Sequence, residues 1–194
     1  MATPAKTIPP ERLRLLYSLG DFQLALSAAA FLGELDENGT YSKVELRRFR
    51  CYETTAVISY TRPFSSSLGN VPRLTLAMTG AQLSDEQQDL HERLMRLRNK
   101  VVAHSDAEMM RMRSHAARME IDSDFSYVFL HPVFDQGLTF VGMELVALNE
   151  LLHIVFHSTY TRLLHEAQER PEEFNFLKDY VNRELLPDVA GSSG

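Results

Sequence analysis

The sequence predicts an all-α protein: an up-and-down four- or five-helix bundle with one β-hairpin inserted between the third and fourth long helices. Three observations predict it. Apolar residues recur at steps of three and four over several long stretches, which places them on one face of a helix. Two helices open on capping boxes, Ser42 with Glu45 and Ser84 with Gln87. In such a box the hydroxyl and the acid or amide side chain satisfy each other's orphan backbone N–H groups. Only one stretch, at 112–134, changes to a two-residue alternation.

The elements follow in order. Pro9 and Pro10 precede Glu11, and proline's fixed φ suits the first turn of a helix. From there Leu13, Leu16, Gly20, Leu24, Ser27 and Phe31 form a stripe, and the helix is expected to reach about Leu35. Asp36-Glu37-Asn38-Gly39 reads as a turn, because Asn-Gly accepts positive φ readily. The second helix runs from Lys43 to about Tyr60 and is stopped by Pro63. Residues 62–82 read as a long connection with one short element at Leu74–Met78. The third helix starts after Ser84, with Asp85 and Glu86 where the helix dipole favours negative charge. It runs to about Ala103 with the stripe Leu90, Leu94, Leu97, Val101 and then His104.

After His104 the period changes. His115, Ala117, Met119 and Ile121 alternate with Ser114, Ala116, Arg118 and Glu120, and Asp122-Ser123-Asp124 makes a turn into the strand formers Phe125 to Phe134. From Thr139 to about Gln168 a long helix carries Val141, Leu145, Leu148, Leu152, Val155 and Tyr160 or Thr159. A last short helix is expected from Pro171 to Leu186. The organisation is one domain, 1–190, with a flexible tail at 191–194.

Composition bounds the function. At 194 residues, with 44% hydrophobic and 24% charged side chains, the chain suits one globular domain with its own core. Twenty basic residues against 26 acidic ones give a net charge of −6, which excludes a uniformly basic nucleic-acid coat. Cys51 is the single cysteine, so an intramolecular disulfide and a cysteine-built zinc site are both excluded. It sits mid-helix and reads as a small buried hydrophobe. The first ten residues lack a signal-peptide core, and no run approaches ~18 consecutive apolar residues. A cytoplasmic protein with no membrane association is expected.

The charge is unevenly spread. Between residues 93 and 118, seven basic residues (Arg93, Arg96, Arg98, Lys100, Arg111, Arg113 and Arg118) face two acidic ones (Asp106 and Glu108). That segment is +5 and the rest of the chain is therefore −11, a local place for a polyanion or a solvated basic face. At 100° per residue, Arg98 lies about 70° to one side of the Leu90–Val101 stripe and His104 about 50° to the other. The two flank an apolar surface, and pairing of that surface across a two-fold axis would line one cleft with both. Alternatively, His104 hydrogen-bonds a core carbonyl and Arg98 makes a surface ion pair.

The run Arg98-Asn99-Lys100-Val101-Val102-Ala103-His104 resembles the signature of the HEPN superfamily: an arginine, a polar residue, a short variable stretch, then histidine. Its place, late in a strongly amphipathic helix, is similar too, and the resemblance covers about residues 40–168. It implies a helical bundle that dimerises so that two motifs share one cleft. Many members are metal-independent endoribonucleases, often toxins or antiviral effectors. The resemblance makes Arg98, His104 and Asn99 catalytic, with Arg93, Arg96 and Lys100 binding RNA. The 2′-hydroxyl of RNA attacks the adjacent phosphate, His104 serves as general acid/base, Arg98 holds the phosphate oxygens, and Asn99 orients the pair or contacts RNA. No cofactor and no metal are required. A homodimer, RNA, and a separately encoded antitoxin or nucleotidyltransferase are the implied partners. Other members are non-catalytic nucleotide-binding or interaction modules, which is the alternative function.

Other constellations are weaker. His153 and His157 stand four apart, and Glu150 with His153 has the Glu-x-x-His spacing of di-iron bundles, but it is the only such pair in the chain. Both histidines read as the edge of an amphipathic helix. Met109, Met110 and Met112 read as gap-fillers, and no Gly-rich phosphate loop or nucleophile elbow is present.

Overall fold

A computed structural model describes residues 8–65, 71–98, 111–120, 125–135 and 137–175. In chain order they form α1 (Pro10–Leu32), α2 (Lys43–Thr61), a single-turn α3 (Leu76–Thr79) and α4 (Asp85–Leu97). Strands β1 (Arg111–Glu120) and β2 (Ser126–Asp135) follow, then α5 (Met143–Glu169) and a 3-10 turn at Pro171–Glu173. The protein is mostly helical with one small two-stranded antiparallel sheet. The extension of the third helix to Ala103, the turn at 122–124 and the chain beyond 175 lie outside the described residues.

Local chemistry sets the helix ends. Pro10 occupies the first helical position. Both capping boxes form: Ser42 N–H donates to Glu45 Oε2 at 2.8 Å and Glu45 N–H to Ser42 Oγ at 3.3 Å. The matching pair between Ser84 and Gln87 measures 3.0 and 3.3 Å. The turn between α1 and α2 closes differently from expectation. The Asp36 side chain and carbonyl accept the Asn38 and Gly39 N–H groups, and Gly39 does not take a positive φ. Its value is space: a Cβ there would stand 2.8 Å from the Tyr41 hydroxyl oxygen.

The core lies where α1 packs against α2 on one side and α5 on the other. Leu15, Phe22, Ala25, Ala29 and Leu32 of α1 meet Phe49, Ala56, Val57 and Tyr60 of α2 and Leu148, Leu151, Leu152 and Val155 of α5. The alanines let the neighbouring backbones approach α1 closely, while each large side chain buried contributes about 1.5–3 kcal/mol. Both partners run antiparallel to α1. Phe31 meets Tyr52 at one end of the α1–α2 pair and Asp21 meets Arg62 towards the other. At the start of α1 the buried Arg12 guanidinium reaches Glu166 of α5 and Glu173 of the 3-10 turn, at 3.1 and 2.8 Å, and lies over the Phe174 ring.

Two expectations are corrected, and the choice left open between Tyr160 and Thr159 is resolved. The predicted α1 stripe is the outer face: Leu24 and Phe31 remain 47% and 48% exposed, and a Cβ on Gly20 would meet nothing. The helix is apolar nearly all round, so periodicity alone could not choose its inner face. Cys51 is exposed, because it lies about 180° around α2 from the arc of Phe49, Glu53, Ala56 and Tyr60. On α5 it is Thr159 that is buried, its hydroxyl donating to the Val155 carbonyl at 2.7 Å, while Tyr160 faces out. Among the described helices only α1 has the length and apolar composition to cross a membrane, and its inner face is packed in the core.

Strands β1 and β2 pair antiparallel as a two-stranded sheet. Its pairing runs one-to-one from Arg111 opposite Asp135 to Glu120 opposite Ser126. Every side chain described on it, from 114 to 120 and from 125 to 132, is exposed. Neither strand packs extensively on a helix.

The choice of face on α1 sets an expectation for stability. Phe22→Ala should cost about 3–5 kcal/mol in urea unfolding, whereas Leu24→Ala, on the outer face, should cost less than about 1 kcal/mol. Equal losses would mean that the two faces are assigned the wrong way round.

Candidate functional site

The helix that carries the basic island is α4. Its sequence is strongly polar, and only Leu90 and Leu94 are buried. An isolated helix of this length is marginal in water, so its place is set by what it touches. His91 enters a corner of aromatic rings from α2 and the chain after it. Its Nδ1 lies 2.8 Å from the Tyr60 hydroxyl, and its ring stands edge-on to Tyr60 and Phe64, with centroids 5.7 and 4.8 Å away. Burial pushes the His91 imidazole below the ordinary histidine range, with Glu92 opposing and Arg73 assisting. Burial also holds the Tyr60 phenol well above its usual range, so the bond joins a protonated phenol to the imidazole.

Arg93 ties α4 to the start of α5. Its two terminal nitrogens both bond the Glu144 carboxylate, a bidentate match between planar groups. The guanidinium also lies over the Phe140 ring, 5.3 Å from its centroid. The hydrogen bond from Arg93 holds the Glu144 carboxyl below the usual carboxylate range. The Arg93 Nε is buried with no partner among the described residues.

Arg96 points to solvent, 3.7 Å from Glu92, an exposed pair worth a few tenths of a kcal/mol. Arg98 is half-buried, and the backbone remains helical through it, at φ −56° and ψ −45°. Arg96 and Arg98 sit about 160° apart around the helix axis. The structure therefore distributes these three cations around α4, with Arg93 already committed to a carboxylate. Asn99, Lys100 and His104 lie outside the described residues.

Sequence reasoning missed the group that places the far wall of this region. Glu53 is buried in α2, and its Oε1 accepts the backbone N–H of Thr139 at 2.5 Å and of Phe140 at 2.8 Å. Arg50, one turn earlier, donates to the Gly137 carbonyl at 3.0 Å. Together they fix the chain where it returns from the hairpin. Phe140 is thereby held fully buried against the core, with its ring under Arg93. The sequence did hold a signal: a carboxylate at position 53 interrupts the core spacing of Phe49, Ala56, Val57 and Tyr60, and a charge in a core row needs a donor.

The chain matches no family model, no curated protein and no solved structure.

Two outcomes follow from this geometry. The His91 value is depressed on folding, so the stability carried by its neutral ring is intact above the unfolded value near 6.5. That stability is lost as the pH falls through 6.5 toward the lower folded value. His91→Phe should flatten the decline below about pH 6.5 in thermal melts, and an unchanged slope would show that another group carries it. Glu53→Ala should cost about 1.5–3 kcal/mol, because two buried N–H groups lose a charged acceptor. Glu53→Gln, which keeps an acceptor oxygen, should recover most of that loss.

Proposed function

We propose that this chain is a HEPN-like, metal-independent endoribonuclease that works as a homodimer, in the manner of a toxin or antiviral effector of the cytoplasm. The observation that carries this reading is the run from Arg98 to His104, which follows the amphipathic α4 in sequence and lies inside a +5 segment of an otherwise acidic chain. In this reading the helices form the bundle of that superfamily and the hairpin is an insertion before its last long helix. His104 removes the proton of a ribose 2′-hydroxyl, whose oxygen forms a bond to the adjacent phosphorus. The bond from phosphorus to the 5′-oxygen breaks, and that oxygen leaves with a proton. The products are a cyclic phosphate and a 5′-hydroxyl. Arg98 stabilises the charge that builds on the phosphate oxygens, and Asn99 orients the reacting groups. Lys100 and Arg96 supply salt-dependent attraction to RNA. Arg93, shared with Glu144 and Phe140, chiefly holds α4 in place.

One observation favours a second reading. Two of the described cations on α4, Arg93 and Arg96, have carboxylate neighbours in the same chain. A non-catalytic module of the same family, acting with a separately encoded antitoxin or nucleotidyltransferase, would tolerate that arrangement.

The two readings part on direct assay. For the ribonuclease, His104→Ala and Arg98→Ala should each lower RNA cleavage by about 100-fold or more while the dimer survives. Cleavage by the unaltered protein should persist in EDTA, and abolition by the chelator would sink the metal-free mechanism. Expression of the unaltered chain should slow a host that tolerates His104→Ala, whereas equal growth favours the module.

A further inference from the structure

A second row of side chains runs along α5, facing away from the core. Val146, Glu150, His153, His157, Tyr160 and Leu164 follow at alternating steps of four and three, the spacing of a seam between paired helices. All six are exposed. The row has a shape. Its first half borders an open groove of about 570 Å³, lined by Val146, Glu150 and His153 together with Gln87, Asn149 and Ile154. Its second half carries the larger apolar side chains Tyr160 and Leu164, 48% and 42% exposed. Between the halves, the His153 and His157 rings lie nearly parallel, 18° apart in plane, with centroids separated by 5.9 Å. Neither imidazole makes a hydrogen bond or ion pair among the described residues.

We propose that α5 pairs with the α5 of a second copy of this chain about a two-fold axis, and that the four imidazoles meeting there bind one late first-row divalent metal ion, Zn²⁺ by geometry. In an antiparallel two-fold contact, opposed residues have numbers of constant sum. Placing His153 against the partner's His157 also places Val146 against the partner's Leu164 and Glu150 against the partner's Tyr160. The half of each helix that carries Tyr160 and Leu164 then lies against the grooved half of the other, and this happens twice because the contact is isologous. The histidines come to the axis as part of the same register.

Ligand count argues for the second copy. Imidazole suits zinc, copper and nickel, and two histidines four apart on a helix share one face and can chelate one ion. A closed zinc site takes four ligands in a tetrahedron. Among the described residues no three histidine, cysteine, aspartate or glutamate side chains gather on one chain. One copy supplies half of a site, and a two-fold axis supplies the other half. The Glu150 carboxylates, one turn away on each helix, offset the charge of the ion. A single helix seam is also small beside the ~800 Å² per partner of a stable interface, so the metal decides whether the contact forms. This inference does not rest on the ribonuclease reading, which uses the far end of α4 and requires no metal.

The test uses the untagged full chain and zinc chloride alone. Light scattering should show the mass of the metal-free protein doubling on addition of zinc, with one zinc bound per two chains, and EDTA should reverse it. Co²⁺ in place of zinc should develop the visible absorption of a tetrahedral site in step with the doubling. His153→Ala and His157→Ala, both at exposed positions, should each abolish the doubling. Leu164→Glu should prevent it too, while His115→Ala on the hairpin should leave it intact. No change of mass with zinc, a doubling that survives His153→Ala, or one zinc per chain without association would each overturn the proposal. RNA cleavage that is lost in His104→Ala and indifferent to EDTA would leave the ribonuclease reading standing in any of those cases.

Discussion

The hydrogen bond between Tyr60 and His91 is the constraint on which the placement of α4 depends. The helix buries too little apolar surface to hold itself, and its first turn is all polar. It gives the core two buried leucines, the partly buried Met95 and Leu97, and one imidazole, and the imidazole enters a corner built from Phe22, Tyr60 and Phe64, with ring centroids 5.4 to 6.0 Å apart. Edge-to-face rings contribute beyond the area they bury, but they do not fix the position of a helix along its axis. A directional bond to a hydroxyl does. It also fixes a protonation state: Tyr60 keeps its proton and His91 stays neutral, because either charge would be stranded in an apolar corner.

A second joint completes the frame. Glu53 accepts two successive backbone N–H groups ahead of α5. The residue it positions, Phe140, is the floor on which Arg93 rests. Glu144, one turn on, closes the clamp. The chain from α2 to α5 is therefore read through alternating charges and rings: carboxylate to backbone, ring to guanidinium, guanidinium to carboxylate. The Glu53 link satisfies a buried backbone N–H, whereas the Arg93–Glu144 pair closes at the surface. The start of α5 and the late turns of α4 are set relative to one another by side chains that are far apart in sequence.

Local chemistry made much of the fold legible. The capping boxes at Ser42 and Ser84 and the stop after Thr61 ahead of Pro63 act within a few residues, and they appear as expected. What failed was the choice of face. The α1 stripe was placed on the outer surface because a helix apolar on every side has no preferred direction until its partners are known. Cys51 was misplaced because its apolar neighbours in sequence are not its neighbours in space. Of the candidate site, the amphipathic helix and its cations could be read from the chain. The use of Arg93 as a strut could not, because Glu144 stands 51 residues away, and no spacing rule reaches that far. Glu53 was the most readable of the omissions, since a carboxylate in a core row announces a missing donor.

Every side chain described on the two strands is exposed, and neither strand packs extensively on a described helix. Their register is held by strand pairing and by their own cross-strand contacts, such as Tyr127 with Met119. A two-stranded ribbon on its own is marginal in water. The described helices and the strand pair are therefore parts of unequal cooperativity, and the strand pairing can be lost and regained with little effect on the helices. In evolutionary terms the strand pair is cheap to edit. Its strands can be lengthened, recharged or exchanged with little effect on the folding of the helices, so new recognition is most readily acquired there.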